Sequence, residues 1–321
     1  MTVFDVHAHL WSPTMRGKRY MSPEAEAKWF RAAFLGCEPV LDANGARLVE
    51  ALDRTEEALG DDYRVCVFAI DIGWIFPTDL DVSELNDWVA AQALRDDRKR
   101  IIPFACVDPR RENALGEVER CVAKLGARGV KLYPPTGFYP DDERFFPFYE
   151  GVLRIQREAG RALPLLFHQG FSFSGSKYSR PVFVEEVAFR FKPDLKIVLA
   201  HAGIPWTDEA ISIAALHRNV SLDIALYGDL YGFWPELHLQ LFGKAKRAGV
   251  LDRILFGSDW PLSSAWMPAK KPSPPWAGLQ GIVNESRGLR MPESLGEQGY
   301  PEITPREIDG ILGGNALRLF E

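Results

Sequence analysis

Residues 3–10 read VFDVHAHL, an almost unbroken apolar run that closes on two histidines. In an extended strand their spacing puts His7 and His9 on one face, with Asp5 two residues deeper on that same face. Seven further runs of this kind follow: YRVCVFAI (63–70), IIPFACVD (101–108), GVKLYP (129–134), LPLLFHQG (163–170), KIVLAHAG (196–203), NVSLDIAL (219–226) and RILFGSDW (253–260). Near-continuous apolar character fits parallel strands buried on both faces better than half-exposed antiparallel ones. Stretches 116–128, 146–162, 182–193 and 235–250 carry helical periodicity between them. Eight strand–helix alternations predict an α/β protein, a distorted (β/α)8 TIM barrel, with a doubly wound open sheet as the alternative. No GxGxxG follows the first run and no Walker loop occurs, which weakens that alternative as a nucleotide binder.

The 321 residues are expected to form one domain, 1–321, with two departures from a minimal barrel. Residues 11–62 form an insertion after strand one, with a short helix at 24–34. Residues 261–303 follow strand eight and begin PLSSAWMPAKKPSPPWAG, with five prolines and two tryptophans. That composition favours extended, semi-rigid backbone, and Trp266 and Trp276 suggest a packed lid or dimer arm rather than a free linker. The chain ends ITPREIDGILGGNALRLF (303–320), read as a helix start followed by a Gly-Gly break.

A net charge of −6 with no basic domain argues against nucleic acid as partner. No run of about 18 apolar residues predicts a membrane span, and the N-terminus has no signal-peptide pattern. Cys37, Cys66, Cys106 and Cys121 have irregular spacing and read as reduced thiols. The expectation is a soluble cytoplasmic protein.

His168, His201 and Asp259 close the fifth, sixth and eighth runs as His7 and His9 close the first. In a barrel, catalytic residues come from the carboxyl ends of strands. One histidine after a strand is ordinarily a hydrogen-bonded core residue, but four of the six histidines at three strand ends form a constellation. Imidazole and carboxylate together are a ligand set for zinc, manganese or iron(II) in an open catalytic site. His217 and His238 fall in helical stretches and read as surface or packing residues.

FDVHAHLW, GVKLYPP, LLFHQG, VLAHAG and ILFGSDWP, in that order, resemble the amidohydrolase superfamily. More narrowly they are similar to its amidohydrolase-2 branch, which contains aminocarboxymuconate semialdehyde decarboxylase and related aromatic-acid decarboxylases and hydrolases. The resemblance covers essentially the whole chain, to the terminal GGNALRLF. It implies a distorted TIM barrel with one divalent metal ion, zinc ahead of manganese, at the carboxyl-end face. His7, His9, His168 and Asp259 would be ligands, and His201 and Asp259 the catalytic pair.

Lys131 stays open: a carboxylated bridge to a second metal, a paired core-end charge, or a binder of substrate anion. Trp11, Phe171, Tyr178, Arg180 and Trp260 are substrate-facing candidates, the aromatics for stacking and Arg180 for a carboxylate clamp. Arg110 and Arg111 are further candidates, and Tyr133, Pro134 and Pro135 are expected to help shape the pocket wall. Asp5 reads as a satisfied polar residue at the barrel floor rather than a partner of a ligand imidazole. The leading function is hydrolysis of a small ring-derived amide or lactone by metal-activated water. Non-oxidative decarboxylation of an aromatic or muconate-type acid is the alternative, with a ring-hydrating lyase and a non-catalytic binding barrel behind it. The sequence leaves the oligomeric state open; the resemblance implies a homodimer as one form, since relatives of this kind often dimerise.

Overall fold

The computed structural model describes residues 1–31, 39–226, 236–262, 279, 283–284 and 286–320. Among these, all eight apolar runs contain parallel strands: β1 (Thr2–His9), β2 (Asp62–Phe68), β3 in two pieces (Ile101–Pro103 and Ala105–Cys106), β4 (Val130–Leu132), β5 (Leu165–Phe167), β6 (Ile197–Leu199), β7 (Val220–Asp223) and β8 (Ile254–Leu255). After β1 the strands are shorter than the apolar runs because the carboxyl ends leave the sheet to form the site. Helices α1 (Gly45–Leu59), α2 (Val82–Ala93), α3 (Ala114–Lys124), α4 (Phe146–Ala159), α5 (Val182–Arg190), α6 (Thr207–Leu216) and α7 (Glu236–Arg247) alternate with them.

The strands hydrogen-bond in chain order as a three-stranded sheet, β1 to the first piece of β3, and a six-stranded sheet, the second piece of β3 to β8. At one seam Phe104 N donates to Val67 O and Ala105 N to Gly129 O. At the other, Val6 N donates to Phe256 O, and Ala8 bridges Trp260 in parallel. First and last strands are therefore neighbours, as a barrel requires and an open sheet does not. Gly129 is needed at the first seam, because a Cβ there would meet the Phe104 ring at 2.5 Å.

Simple alternation along β1 does not hold. Asp5 pairs with Val65 but Ala8 pairs with Val67, so three residues of β1 span two of β2. Such a bulge switches the facing of everything after it. Phe4 and Val6 pack in the barrel interior with Phe68, Leu166, Val198 and Leu255, whereas Ala8 and Leu10 pack outward with Val3. His7 and His9 thereby turn inward. Asp5 is not on their face: its carboxylate accepts from His7 N, Ser258 N and Tyr63 Oη and ties β1 to the segment after β8.

Between β1 and α1 the chain makes a small hairpin (Thr14–Met15 with Lys18–Arg19), then a helical segment that runs as α-helix (Pro23–Ala25) and passes directly into a π turn (Glu26–Phe30), in the place where the sequence predicts a short helix over 24–34. Residues 32–38, including Cys37, lie outside the described residues, as do Trp266 and Trp276 of the proline-rich segment. Cys66, Cys106 and Cys121 are buried free thiols.

The expected Gly-Gly break is absent. Helix α8 (Pro305–Asp309), a π turn (Gly310–Gly314) and α9 (Asn315–Leu319) follow one another directly. A π turn leaves backbone groups outside the helical ladder, and here Ile311 O accepts from Phe256 N beyond β8. The glycines serve packing: a Cβ on Gly313 would lie 2.1 Å from Thr2 O. This terminal segment plugs the barrel floor with Ala316, Leu319 and Phe320.

Candidate metal centre and pocket

The sequence-selected residues His7, His9, His168, His201 and Asp259 meet at the carboxyl ends of β1, β5, β6 and β8. Two of them sit on left-handed backbone, His201 at φ 57° and Asp259 at φ 53°, with Ala202 and Leu226 nearby at 43° and 48°. Non-glycine residues pay for that conformation, and it concentrates where side chains must be aimed.

The proton positions follow from the partners. His7 Nδ1 is 2.9 Å from Asp223 Oδ2, His201 Nδ1 is 2.7 Å from Ala225 O, and His168 Nε2 is 3.1 Å from Phe171 O. Each partner only accepts, so each of these nitrogens carries the ring proton. The opposite nitrogens present lone pairs to a common space. There His168 Nδ1 and His201 Nε2 stand 3.2 Å apart. Asp259 Oδ1 lies 2.8 Å from His9 Nε2 and 3.5 Å from His7 Nε2, but is buried without a hydrogen bond. One donor atom each from His7, His201 and Asp259 fall within 4.8 Å of one another. Converging lone pairs and an unsatisfied buried carboxylate oxygen are what a cation would satisfy, so the donor set fits a divalent metal.

The electrostatics agree. Burial, and next the Lys131 charge, push His7 well below the ordinary histidine range. Burial likewise lowers His9 and His168, the direction that favours the ligating form of an imidazole. Burial would raise Asp259, but the adjacent His7 and His9 outweigh it and hold the carboxyl below the usual range.

Asp223 escaped the sequence reading. One oxygen fixes His7, while the other accepts from His201 N and Ala225 N, so a single carboxylate orients two site histidines. In the sequence it sits inside the seventh run, followed by Ile224, Ala225 and Leu226, and only the structure shows that the strand ends there.

Lys131 is fully buried on β4, with Nζ 3.5 Å from His7 Nε2 and 4.6 Å from the centre of the Phe68 ring. Burial lowers its pKa to about 8.

Above the histidines opens an apolar pocket with a cavity volume of about 60 Å3. Trp11, Trp29, Phe30, Tyr133, Phe171 and Ile204 form much of its wall, with His9, His168, His201 and Asp259 at its base. Trp11 and Phe171, the sequence's substrate-facing candidates, lie on this wall, while Trp29 and Phe30 arrive from the segment after β1. Trp260 does not line the pocket; it is wholly buried, because the segment after β8 pairs with β1. Arg180 is also elsewhere, half exposed and paired with Glu209. Arg110 is held by Asp108 over the Trp74 ring, Arg111 by Asp71, and Tyr178 packs on Tyr139. His217 and His238 are buried away from the centre.

No protein with a curated description matches the chain by sequence. Solved structures do match in fold. An uncharacterized TIM-barrel protein from Bordetella bronchiseptica superposes with TM-score 0.66 at 22% identity, covering 99% of this chain and 98% of that one. A probable 2-pyrone-4,6-dicarboxylic acid hydrolase from Acinetobacter baumannii gives 0.60 at 15%, covering 99% of each. The 5-carboxyvanillate decarboxylase from Novosphingobium aromaticivorans, complexed with manganese and a nitrobenzoic acid, gives 0.59 at 14%, covering 99% and 95%. Among the described residues no helix is long and apolar enough to cross a membrane. The amidohydrolase family (Amidohydro_2) matches residues 4–321, and the chain belongs to it as an enzyme of that superfamily.

Proposed function

We propose that the chain is a metal-dependent hydrolase of a small ring-derived lactone or amide, with His7, His9, His168 and Asp259 holding one divalent cation. The observation that carries this reading is the inward set of lone pairs, fixed by outward hydrogen bonds to Asp223, Ala225 O and Phe171 O. Zinc is the first candidate; the manganese in the carboxyvanillate decarboxylase makes it the second. A cation held there supplies Lewis-acid polarisation of a carbonyl and makes water nucleophilic near neutral pH.

The chain's own residues do the rest. His201 keeps its proton on Nδ1 for Ala225 O, so Nε2 is free to take a proton from the attacking water. The same nitrogen returns it to the oxygen or nitrogen that leaves as the ring bond breaks. Asp259 faces the same space and orients the water. The apolar walls exclude bulk water and receive the ring.

Those walls also support decarboxylation as a second reading, since a carboxylate brought among aromatic rings loses hydration that its product does not need. Assaying metal-loaded protein on lactones, cyclic amides and hydroxybenzoates separates the two. Ring opening that is lost in His201→Asn supports the hydrolase. Carbon dioxide release without ring opening replaces it with the decarboxylase, and turnover by metal-free protein removes both.

A further inference from the structure

Amid its apolar walls the pocket holds one built polar feature. Tyr133 Oη is 2.9 Å from Ser172 Oγ and 3.3 Å from Ser174 Oγ, and the two serine oxygens are 2.9 Å apart. Tyr133 and Ser172 are both buried and both line the pocket, and the Tyr133 ring lies 4.7 Å from that of His168. The triangle is held from behind. Gly170 N donates to Ser179 O and Ser179 Oγ to Gly170 O, closing the base of the loop. Ser172 N donates to Ser176 Oγ and Gly175 N to Ser172 O, while Phe171 N donates across to Ile204 O. Every link is a local staple, so the hydroxyls are positioned before anything binds.

The capacity of these groups is uneven. Ser172 Oγ also accepts from Ser174 N, which uses its acceptor room. Tyr133 Oη has one proton and two lone pairs, and the Trp29 side chain takes one of the lone pairs, so the two serines engage what is left. Opening its longer edge, 3.3 Å to Ser174, frees one position, a donor when Ser172 donates to Tyr133 and an acceptor when Tyr133 donates to Ser172. A site able to present either matches an uncharged hydroxyl, which is itself both. An ionised substituent there would exchange hydration for aromatic walls and the face of a tyrosine.

We propose that Tyr133, set by Ser172 and Ser174, is a specificity-determining residue that reads an uncharged hydroxyl on the ring of an aromatic substrate. This rests on the reading of the pocket above the histidines as the substrate site. It assigns Tyr133 a binding role, distinct from the proton transfer given to His201.

Titration calorimetry on the metal-loaded protein tests it with probes that have no bond to hydrolyse: indole, the indoles carrying one hydroxyl on the benzo ring, and an indole carboxylate. At least one hydroxyindole is expected to bind about three- to tenfold more tightly than indole, the range of one net hydrogen bond. Tyr133→Phe keeps the ring against His168 and should abolish that advantage while leaving indole itself within about twofold. Ser172→Ala should reduce it. A merely structural role would shift indole and hydroxyindole together. No hydroxyindole advantage, an advantage that survives both substitutions, a carboxylate bound most tightly, or no binding of any probe overturns the proposal. The expected binding pattern in a protein that hydrolyses no lactone leaves the hydroxyl site standing and removes only the hydrolase.

Discussion

His168 Nδ1 and His201 Nε2 face one another at 3.2 Å, lone pair to lone pair, because the far nitrogen of each ring is committed to a backbone carbonyl. Two such nitrogens repel unless something positive lies near them. With the buried, unsatisfied Asp259 oxygen beside His7 and His9, the arrangement favours a cation electrostatically.

Metal should therefore stabilise the fold measurably. A ligand that binds only the native state adds about 2.7 kcal/mol at a hundredfold excess over its Kd. Chelator-treated protein is expected to melt several degrees lower than protein refilled with zinc or manganese, with the difference largely lost in His7→Ala and Asp259→Asn. Identical melting curves with and without metal would count against the centre.

Asp223 should matter as much as a ligand without being one. In Asp223→Asn the amide oxygen can still accept from His201 N and Ala225 N, but the amide nitrogen then opposes His7 Nδ1–H. The imidazole relieves that clash by moving its proton to Nε2, which turns its donor lone pair away from the metal. A loss of about 10- to 100-fold in metal affinity is expected, the usual range for such supporting partners. Competition against a chromophoric chelator measures it; unchanged affinity in a folded variant would separate Asp223 from the site.

The same relationships show what was legible in the sequence. Eight strands could be read because strands buried on both faces are apolar throughout, and the histidines stood out because polar residues ending such runs have few bland explanations. The bulge between Asp5 and Ala8 carries no glycine or proline to announce it, so alternation put Asp5 on the wrong face. His7 and Asp223 are 216 residues apart and meet only through barrel closure. Arg180 reads as a carboxylate clamp in the sequence, but Glu209 on α6, 29 residues away, holds it. Trp29 and Phe30 reach the pocket from a segment whose local pattern points to no partner.

Glu117 should make stability depend on acid pH. It accepts from Asn86 Nδ2 and from Arg120 through two nitrogens, while Asn86 spans Cys106 N and O and so links α2 to β3. Burial alone would raise its pKa, but these donors outweigh it and hold the carboxyl below its ordinary value. A depressed carboxyl contributes stability above the unfolded pKa, about 4.3, and loses it as pH falls through the folded value. Glu117→Gln should cost about 1.5–3 kcal/mol at pH 7, a charge-assisted loss, and progressively less toward pH 3. Urea denaturation across that range checks the sign, and a gap that widens in acid would contradict it.

Gly313 and Gly314 are adjacent, yet their alanine variants should diverge. A Cβ on Gly313 would lie 2.1 Å from Thr2 O and 3.2 Å from the Thr2 carbonyl carbon, both backbone atoms that cannot rotate away. Relief requires the terminal segment to lift from β1, loosening the Ala316, Leu319 and Phe320 plug and the Ile311 O bond to Phe256 N. A cost of about 1–3 kcal/mol follows from overpacking of this kind. Gly314 has helical dihedrals, φ −58° and ψ −34°, and nothing within 4 Å of the added Cβ. Alanine there removes backbone freedom from the unfolded chain and should stabilise by about 0.4–1 kcal/mol. Thermal melts of the two variants decide it. Equal destabilisation would mean that the pair breaks the helix, as the sequence alone suggests; opposite signs would assign Gly313 to contact with β1 and leave Gly314 conformationally dispensable.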